Sequence, residues 1–285
     1  MAKIYILLPV HNRKDITRCF IECLKAQTFT DFHLILIDDG SQDGTSSMVQ
    51  EYIPSTTVLS GNGNWWWAGS MQCGLNWLKA MRINDDALIL FINDDVIFDI
   101  DYLKLAAKLM AQKKGVLMLS KHGDLKKGEI VESGIYADLK RLVFKVADTA
   151  KDINCLSTRG LFIYWQDVKK VGGFHPIILP HYLSDYEFTI RAYRKGLKCE
   201  TSDNLIIEPN STTTGYHKVN DKNLWAFLKQ YFSKKSPSNP IYFTSFIFLT
   251  CKPNWVVINL IRVWGRAFRE VTNSIISTCK SCMHQ

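Results

Sequence analysis

Asn93, Asp94 and Asp95 break the apolar stretch FINDDVIF at residues 91–98. Neighbouring carboxylates repel each other and resist burial unless they are paired or coordinated. A divalent cation would relieve that repulsion and bridge to phosphate oxygens, and Mg2+ or Mn2+ suits a set of oxygen ligands. A capping loop, with Asn93 or Asp95 bonding its own backbone, accounts for the same residues equally well.

Other stretches carry chemistry of the same kind. In DDGSQDGT, residues 38–45, Asp38 and Asp39 are placed to accept hydrogen bonds from a nucleobase or ribose, or to form an Asx turn that feeds a helix. The chain has neither the GxGxxG of a dinucleotide site nor a GxxxxGK[ST] phosphate loop. NWWWAG, residues 64–69, sets three indoles side by side. They cannot all face the core of a strand. One exposed ring could stack on a sugar or base, with Gly69 allowing close backbone approach; packing between subdomains is the alternative. Asp185 and Glu187 open a helical pattern, where carboxylates are favoured in any case. At a spacing of two they do not share a face, so at most one serves a site as general base. His217, after STTTGY, suits a metal or phosphate, or a plain surface position.

These residues need a scaffold, and the apolar pattern supplies one. Strands are expected at residues 3–10, 32–37, 57–59, 87–92 and 116–119. Helices are expected between them at 16–27 (capped by Asp15), from Asp43 or Thr45 to 52, at 70–81 and at 101–113. Strands apolar on both faces, alternating with helices, indicate an α/β fold with a mostly parallel sheet covered on both sides. The polar loops HNR, DDGS, GNGN and NDD all follow strand carboxyl ends, the edge where such sheets bind ligands. Beyond residue 120 the rhythm turns mixed. Strands are expected within 128–148 and 155–165 and at 197–201 and 205–207, with helices at 165–171 and from Ser184. The division expected is an α/β half (1–120), a mixed half of the same domain (121–217) and a basic, aromatic helical tail (218–285).

Charge separates the same regions. The net charge of +8 lies wholly in residues 218–285, with ten Lys or Arg against Asp221 and Glu270, so residues 1–217 sum to zero. That placement argues against a nucleic-acid binder and for a basic tail meeting something acidic. The eight cysteines are scattered, and most read as buried thiols in a reducing compartment rather than zinc ligands. The N-terminal apolar run is too short for a membrane span and has no small-residue cleavage site, so it reads as a buried strand. Residues 241–261 are apolar but broken by Lys252, Pro253 and Asn254, which favours two helices over one span. Arg262, Arg266 and Arg269 recur at helical spacing beside Trp264 and Phe268, a mixture suited to a membrane interface or to packing on the domain.

In order along residues 3–217, these segments resemble the family 2 glycosyltransferases of GT-A fold, in their rhamnosyltransferase-like branch. LPVHNR resembles the family's opening strand and loop, and DDGSQDGT its second signature. GNGNWWWAGSMQCGL resembles the segment after the third strand in rhamnosyltransferase-like members, and FINDDVIF the metal motif usually written Asp-x-Asp. TRGLFIYWQDVKKVGGF resembles the stretch before the acceptor site, and SDYEFTIRAYRKG the helix that begins with the catalytic carboxylate.

The resemblance implies inverting transfer of a sugar from a UDP-, dTDP- or GDP-sugar to a saccharide or lipid-linked acceptor, with Mg2+ or Mn2+. It implies donor contacts at Pro9, His11, Arg13, Asp39, Asn64, Trp67, Gly69, Asn93 and Asp94. It implies metal contacts at Asp95 and His217, and Asp185 as general base. Asn93 stands where many members have aspartate, and Ser184 where glutamate is usual before the catalytic carboxylate. Surface polysaccharide or lipopolysaccharide synthesis, in the cytoplasm and peripherally at the inner membrane face, is the implied setting. A nucleotidyltransferase, and a non-catalytic carbohydrate-binding or scaffold protein derived from such an enzyme, are the alternatives.

Overall fold

The computed structural model describes residues 2–124, 129–132, 134–210 and 224–283. Its centre is β1 (Ile4–Val10), which pairs in parallel with β2 (Phe32–Asp38) and β4 (Leu88–Phe91), while β2 pairs in parallel with β3 (Thr57–Ser60). Ile6 and Leu8 face one layer and Leu7 the other, as the two-residue period of a strand requires. The first layer holds α1 (Lys14–Lys25), α2 (Thr45–Tyr52) and α4 (Tyr102–Met110), through Phe20, Val49 and Leu103. The second holds α3 (Trp66–Ala80), α5 (Trp165–Val171) and α6 (Ser184–Arg194), through Met71, Val168 and Phe188. Ile4, Ile6, Leu7 and Leu8 of β1 are fully buried, so the uninterrupted apolar run is what a strand covered on both faces needs.

The second half extends the same sheet with mixed polarity. Its order is β3-β2-β1-β4-β10-β6-β11-β5, with β7 (Glu129–Glu132) beside β6 (Val116–Asp124). β10 (Leu161–Tyr164) runs antiparallel between β4 and β6. One long strand, β11 (Lys198–Pro209), replaces the two short ones expected, because a register shift between Ser202 and Ile206 lets it continue. Its end pairs with β5 (Val96–Phe98), directly after Asp95, and the Asn210 N–H donates to the Asp95 carbonyl at 2.8 Å. β8 (Ile135–Asp138) and β9 (Val143–Val146) form a separate hairpin.

Two helix starts differ from expectation for one physical reason: distant carboxylates satisfy their first N–H groups. α1 begins at Lys14, whose N–H is accepted by Asp43 Oδ2 at 2.9 Å, and Asp15 lies inside its first turn without capping it. α3 begins at Trp66, because Asp39 accepts the N–H groups of Trp65 and Trp66 at 2.8 and 3.0 Å.

The tail holds α7 (Leu224–Tyr231), α8 (Pro240–Thr250) and α9 (Pro253–Met283), so residues 241–261 do form two helices. Asn239 caps α8 by accepting the Ile241 N–H at 2.9 Å, with Pro240 at the first helical position. Phe246 and Ile247 of α8 are fully buried, and Phe246 packs with Ile135, Leu179 and Ile190. Among the described residues no helix is long and apolar enough to cross a membrane. The thiols are less buried than expected: Cys155 and Cys199 are buried, but Cys23, Cys73 and Cys251 are only partly covered. Cys19 is exposed because it falls on the outer face of α1. Cys279 and Cys282 stand at CxxC spacing near the end of α9, and their side chains lie outside the described ones.

Candidate active site

A cavity of about 390 Å³ opens at the carboxyl ends of β1, β2 and β4. Eight of the residues implicated by sequence line it: Pro9, His11, Arg13, Asp39, Trp67, Asn93, Asp94 and Asp95. The loops that carry them are tied together. His11 Nδ1 lies 2.7 Å from the Asp39 carbonyl oxygen, and Asn12, at φ 51°, accepts the Gln42 N–H at 2.8 Å. Asp38 is absorbed by its own turn, accepting the Ser41 N–H at 2.7 Å and the Ser46 hydroxyl. Asp39 instead gathers the next loop, accepting N–H groups from Gly63 (2.8 Å), Trp65 and Trp66. Three of its roughly four acceptor positions are thereby used, which leaves one for a ligand.

The acidic stretch resolves into three different roles. Asn93 Oδ1 accepts the Trp67 indole N–H at 3.2 Å. Asp94 is buried and accepts from Arg13 Nε at 3.1 Å and Thr17 Oγ1 at 2.8 Å. Burial pushes its carboxyl up to about 6, against the opposing pull of Arg13 and the Thr17 hydrogen bond. Asp95 has looser partners, with Arg13 Nη2 at 3.6 Å and Arg159 Nε at 3.9 Å. Its Oδ1 is buried and, among the described residues, accepts no hydrogen bond. Arg159 Nε faces that oxygen from 3.9 Å, beyond hydrogen-bond reach, and an anionic oxygen buried without a hydrogen bond is costly unless something else meets it.

That bare oxygen is the observation against which a divalent cation can be tested. Among the described residues no group of three or more His, Cys, Asp or Glu side chains could hold a metal. The residues do fit a cation that takes one or two protein oxygens and completes its shell with phosphate and water, the habit of Mg2+ and similar ions. His217 lies outside the described residues.

Asp185 and Glu187 sit in the first turn of α6 and fare differently. Glu187 is buried and forms a bidentate pair with Arg191, at 2.8 Å from both Nε and Nη2. Arg191 in turn donates to the Val171 and Gly173 carbonyls at 2.6 and 2.7 Å, so Glu187 serves the packing of α6 on α5. Asp185 Oδ1 accepts its neighbour's N–H, from Tyr186 at 2.9 Å, and its side chain is half-buried. It follows by four residues His181, which lines the cavity.

Asp185 does not line the cavity, and neither do two further expected residues, Asn64 and Gly69. Asn64 lies in the exposed loop, where its N–H donates to Asn62 Oδ1 at 3.1 Å. Gly69 lies within α3, where a Cβ would come within 3.2 Å of Trp65 Cβ and 3.7 Å of Pro176. Its small size admits these neighbouring side chains. The cavity also recruits residues not anticipated: Trp66, Ser70, His181 and Lys235. Trp66 was one indole of a conspicuous run, and its φ of 57° turns the chain sharply into α3. His181 and Lys235 carried no spacing signal, since both arrive through tertiary folding.

Comparison with known proteins agrees with this architecture. The model for Glycosyl transferase family 2 matches residues 5–133. No curated protein sequence matches the chain. Among solved structures, the mannosyltransferase PcManGT of Pyrobaculum calidifontis, in complex with GDP-Man and Mn2+, is similar at a TM-score of 0.57 and 14% identity. That likeness covers 99% of this chain and 80% of the other. S. aureus TarS 1-349 in complex with UDP-GlcNAc gives a TM-score of 0.59 and 15% identity over 99% of this chain and 92% of the other. GalNAc-T7 with UDP, GalNAc and Mn2+ gives 0.60 and 8% identity over 86% of this chain and 50% of the other. Residues 5–133 thus match the Glycosyl transferase family 2 model, and the chain as a whole has a GT-A-like architecture.

Proposed function

We propose that the protein is an inverting glycosyltransferase that moves a sugar from a nucleoside-diphosphate donor to a hydroxyl of a saccharide or lipid-linked acceptor. The observation that carries this reading is the convergence of the loops after β1, β2 and β4 on one cavity, with Asp95 Oδ1 left bare inside it. The family match and the ligands of the solved neighbours, GDP-Man, UDP-GlcNAc and UDP, support a nucleotide-sugar donor.

Asp95 would hold a divalent cation, Mg2+ or Mn2+, with Asn93 as a neutral neighbour and His217 as a further ligand. When bound, the ion offsets the charge that grows on the departing diphosphate. The remaining work falls to the chain's own groups. Arg13 spans Asp94 and Asp95 and fixes their spacing. The Asp39 cradle holds the loop that presents Trp66 and Trp67, whose indoles offer flat apolar walls to a base or sugar. Asp185 takes the proton of the acceptor hydroxyl as its oxygen attacks the anomeric carbon. One displacement inverts that carbon, and the donor's diphosphate leaves with its bonding pair. No covalent glycosyl-enzyme forms, so a second carboxylate nucleophile is not required.

The indole run and Asn93 favour the rhamnosyltransferase-like branch, with a UDP-, dTDP- or GDP-sugar as donor. The basic, aromatic tail supports a lipid-linked acceptor met from the cytoplasmic side, at the inner membrane face, in surface polysaccharide or lipopolysaccharide synthesis. The test is slow donor hydrolysis across a panel of these nucleotide-sugars, with Mn2+ and with chelator. Metal-dependent release of one nucleoside diphosphate is expected. Release from none of them, with no donor bound, would favour a carbohydrate-binding protein derived from such an enzyme.

A further inference from the structure

One wall of the cavity comes from the tail. Lys235, in the connection between α7 and α8, lines the same space as Arg13 and Asp95. Its neighbour Lys234 stands over the Trp66 ring, 5.4 Å from the centroid. The connection is pinned rather than trailing. Asn239 is 1% exposed and donates to the Phe232 and Ser233 carbonyls at 2.8 and 3.1 Å. Ser236 is buried, with its N–H on the Ser233 carbonyl at 3.2 Å.

The charges around the cavity are unequally matched. Asp94 is held by Arg13 and Thr17, and Asp39 is largely filled by backbone N–H groups. Lys235 forms no ion pair among the described residues. The other cavity group near it, His181, has an Nδ1 that is buried and unpaired. Burial, and then the charge of Lys235, hold that imidazole toward its neutral form. An ammonium with no carboxylate partner among the described residues, facing a cavity that also holds the Asp95 oxygen without a hydrogen bond, is complementary to a polyanion lying between them. A diphosphate bridging a cation at Asp95 and an ammonium at Lys235 satisfies both.

We propose that Lys235 binds the diphosphate of the donor, so that the tail of the chain completes the donor site. This rests on the nucleotide-sugar reading above. It also gives the tail a role in the site apart from any contact with a membrane. Asn93 brings less negative charge than aspartate, and Lys235 adds positive charge, so both lessen the site's reliance on the metal.

The test is equilibrium titration of the full chain with UDP, dTDP and GDP, and with the matching nucleosides, in the presence of Mn2+. Wild type, Lys235→Met and Lys235→Arg are compared. Lys235 is exposed, so neither substitution disturbs the core. Lys235→Met is expected to weaken the nucleoside diphosphate about tenfold or more, to leave the nucleoside within twofold, and to flatten the salt dependence. Lys235→Arg is expected to restore most of the affinity. A Lys235→Met chain that binds the diphosphate as wild type does, or that loses diphosphate and nucleoside equally, overturns the proposal. A wild-type chain that binds none of the diphosphates overturns the donor reading, and this inference with it.

Discussion

Asp185 and Glu187 lie two residues apart in one turn of α6, with opposite surroundings. Glu187 is locked to Arg191, while Asp185 is half-buried and follows the cavity-lining His181 by four residues in the chain. Asp185→Asn is therefore expected to cut turnover by on the order of 10²–10⁴, the usual worth of a general base, and to leave the denaturation midpoint unchanged. Glu187→Ala is expected to destabilise the fold by about 3 kcal/mol, because it leaves the Arg191 guanidinium without its partner. Steady-state kinetics and urea unfolding on both variants separate the roles, and a stability loss at Asp185 would reverse them. The sequence showed both carboxylates and their different faces. It did not show that Glu187 is locked in a pair, because Arg191 lies four residues on and meets Val171 and Gly173 only through folding. The place after a strand marked Asp94 and Asp95 together as cation candidates, and only the family resemblance singled out Asp95. The clamp of Arg13 on Asp94 was not legible, since 81 residues separate them.

Elements were most legible where burial on both faces enforces an apolar run, as in β1, β2 and β4. Their polar ends marked the cavity before any coordinates. Helix starts were less legible, because α1 and α3 are capped by carboxylates from other loops. The antiparallel insertion of β10 was hidden for a similar reason: its apolar residues read alike in either direction. The loop after β2 depends on close contact. Gly40 adopts φ +80°, and a Cβ there would lie 2.8 Å from the Gly63 nitrogen. Gly40→Ala is expected to cost about 2 kcal/mol for the left-handed conformation and the clash, and to weaken donor binding by displacing the Asp39 cradle. Urea unfolding and donor titration check this. Unaltered donor affinity would mean that the cradle does not shape the site.

At the scale of the molecule, the tail does two things that the charge count alone joined together. α8 packs into the domain, and the connection before it reaches the cavity. α9 turns Ile261 (62% exposed) and Phe268 (75% exposed) outward, beside the exposed Arg266 and Arg269. If that face meets an anionic bilayer, Ile261→Ser with Phe268→Ser is expected to lower binding to phosphatidylglycerol vesicles tenfold or more. Sedimentation with vesicles reads this out, and unchanged binding would remove the membrane role. Removing residues 240–285 is a poorer test, because it strips the buried Phe246 and Ile247 as well. In the proposed function, Asp95 and a cation together hold a nucleoside diphosphate. The most direct test is thermal unfolding of wild type and Asp95→Asn with UDP, dTDP and GDP, each with and without Mn2+. At a hundredfold excess over Kd, one diphosphate with Mn2+ should raise the wild-type midpoint by about 5 °C or more, and the Asp95→Asn midpoint far less. A wild-type chain unmoved by every diphosphate, or an Asp95→Asn chain that responds as wild type does, would contradict the account.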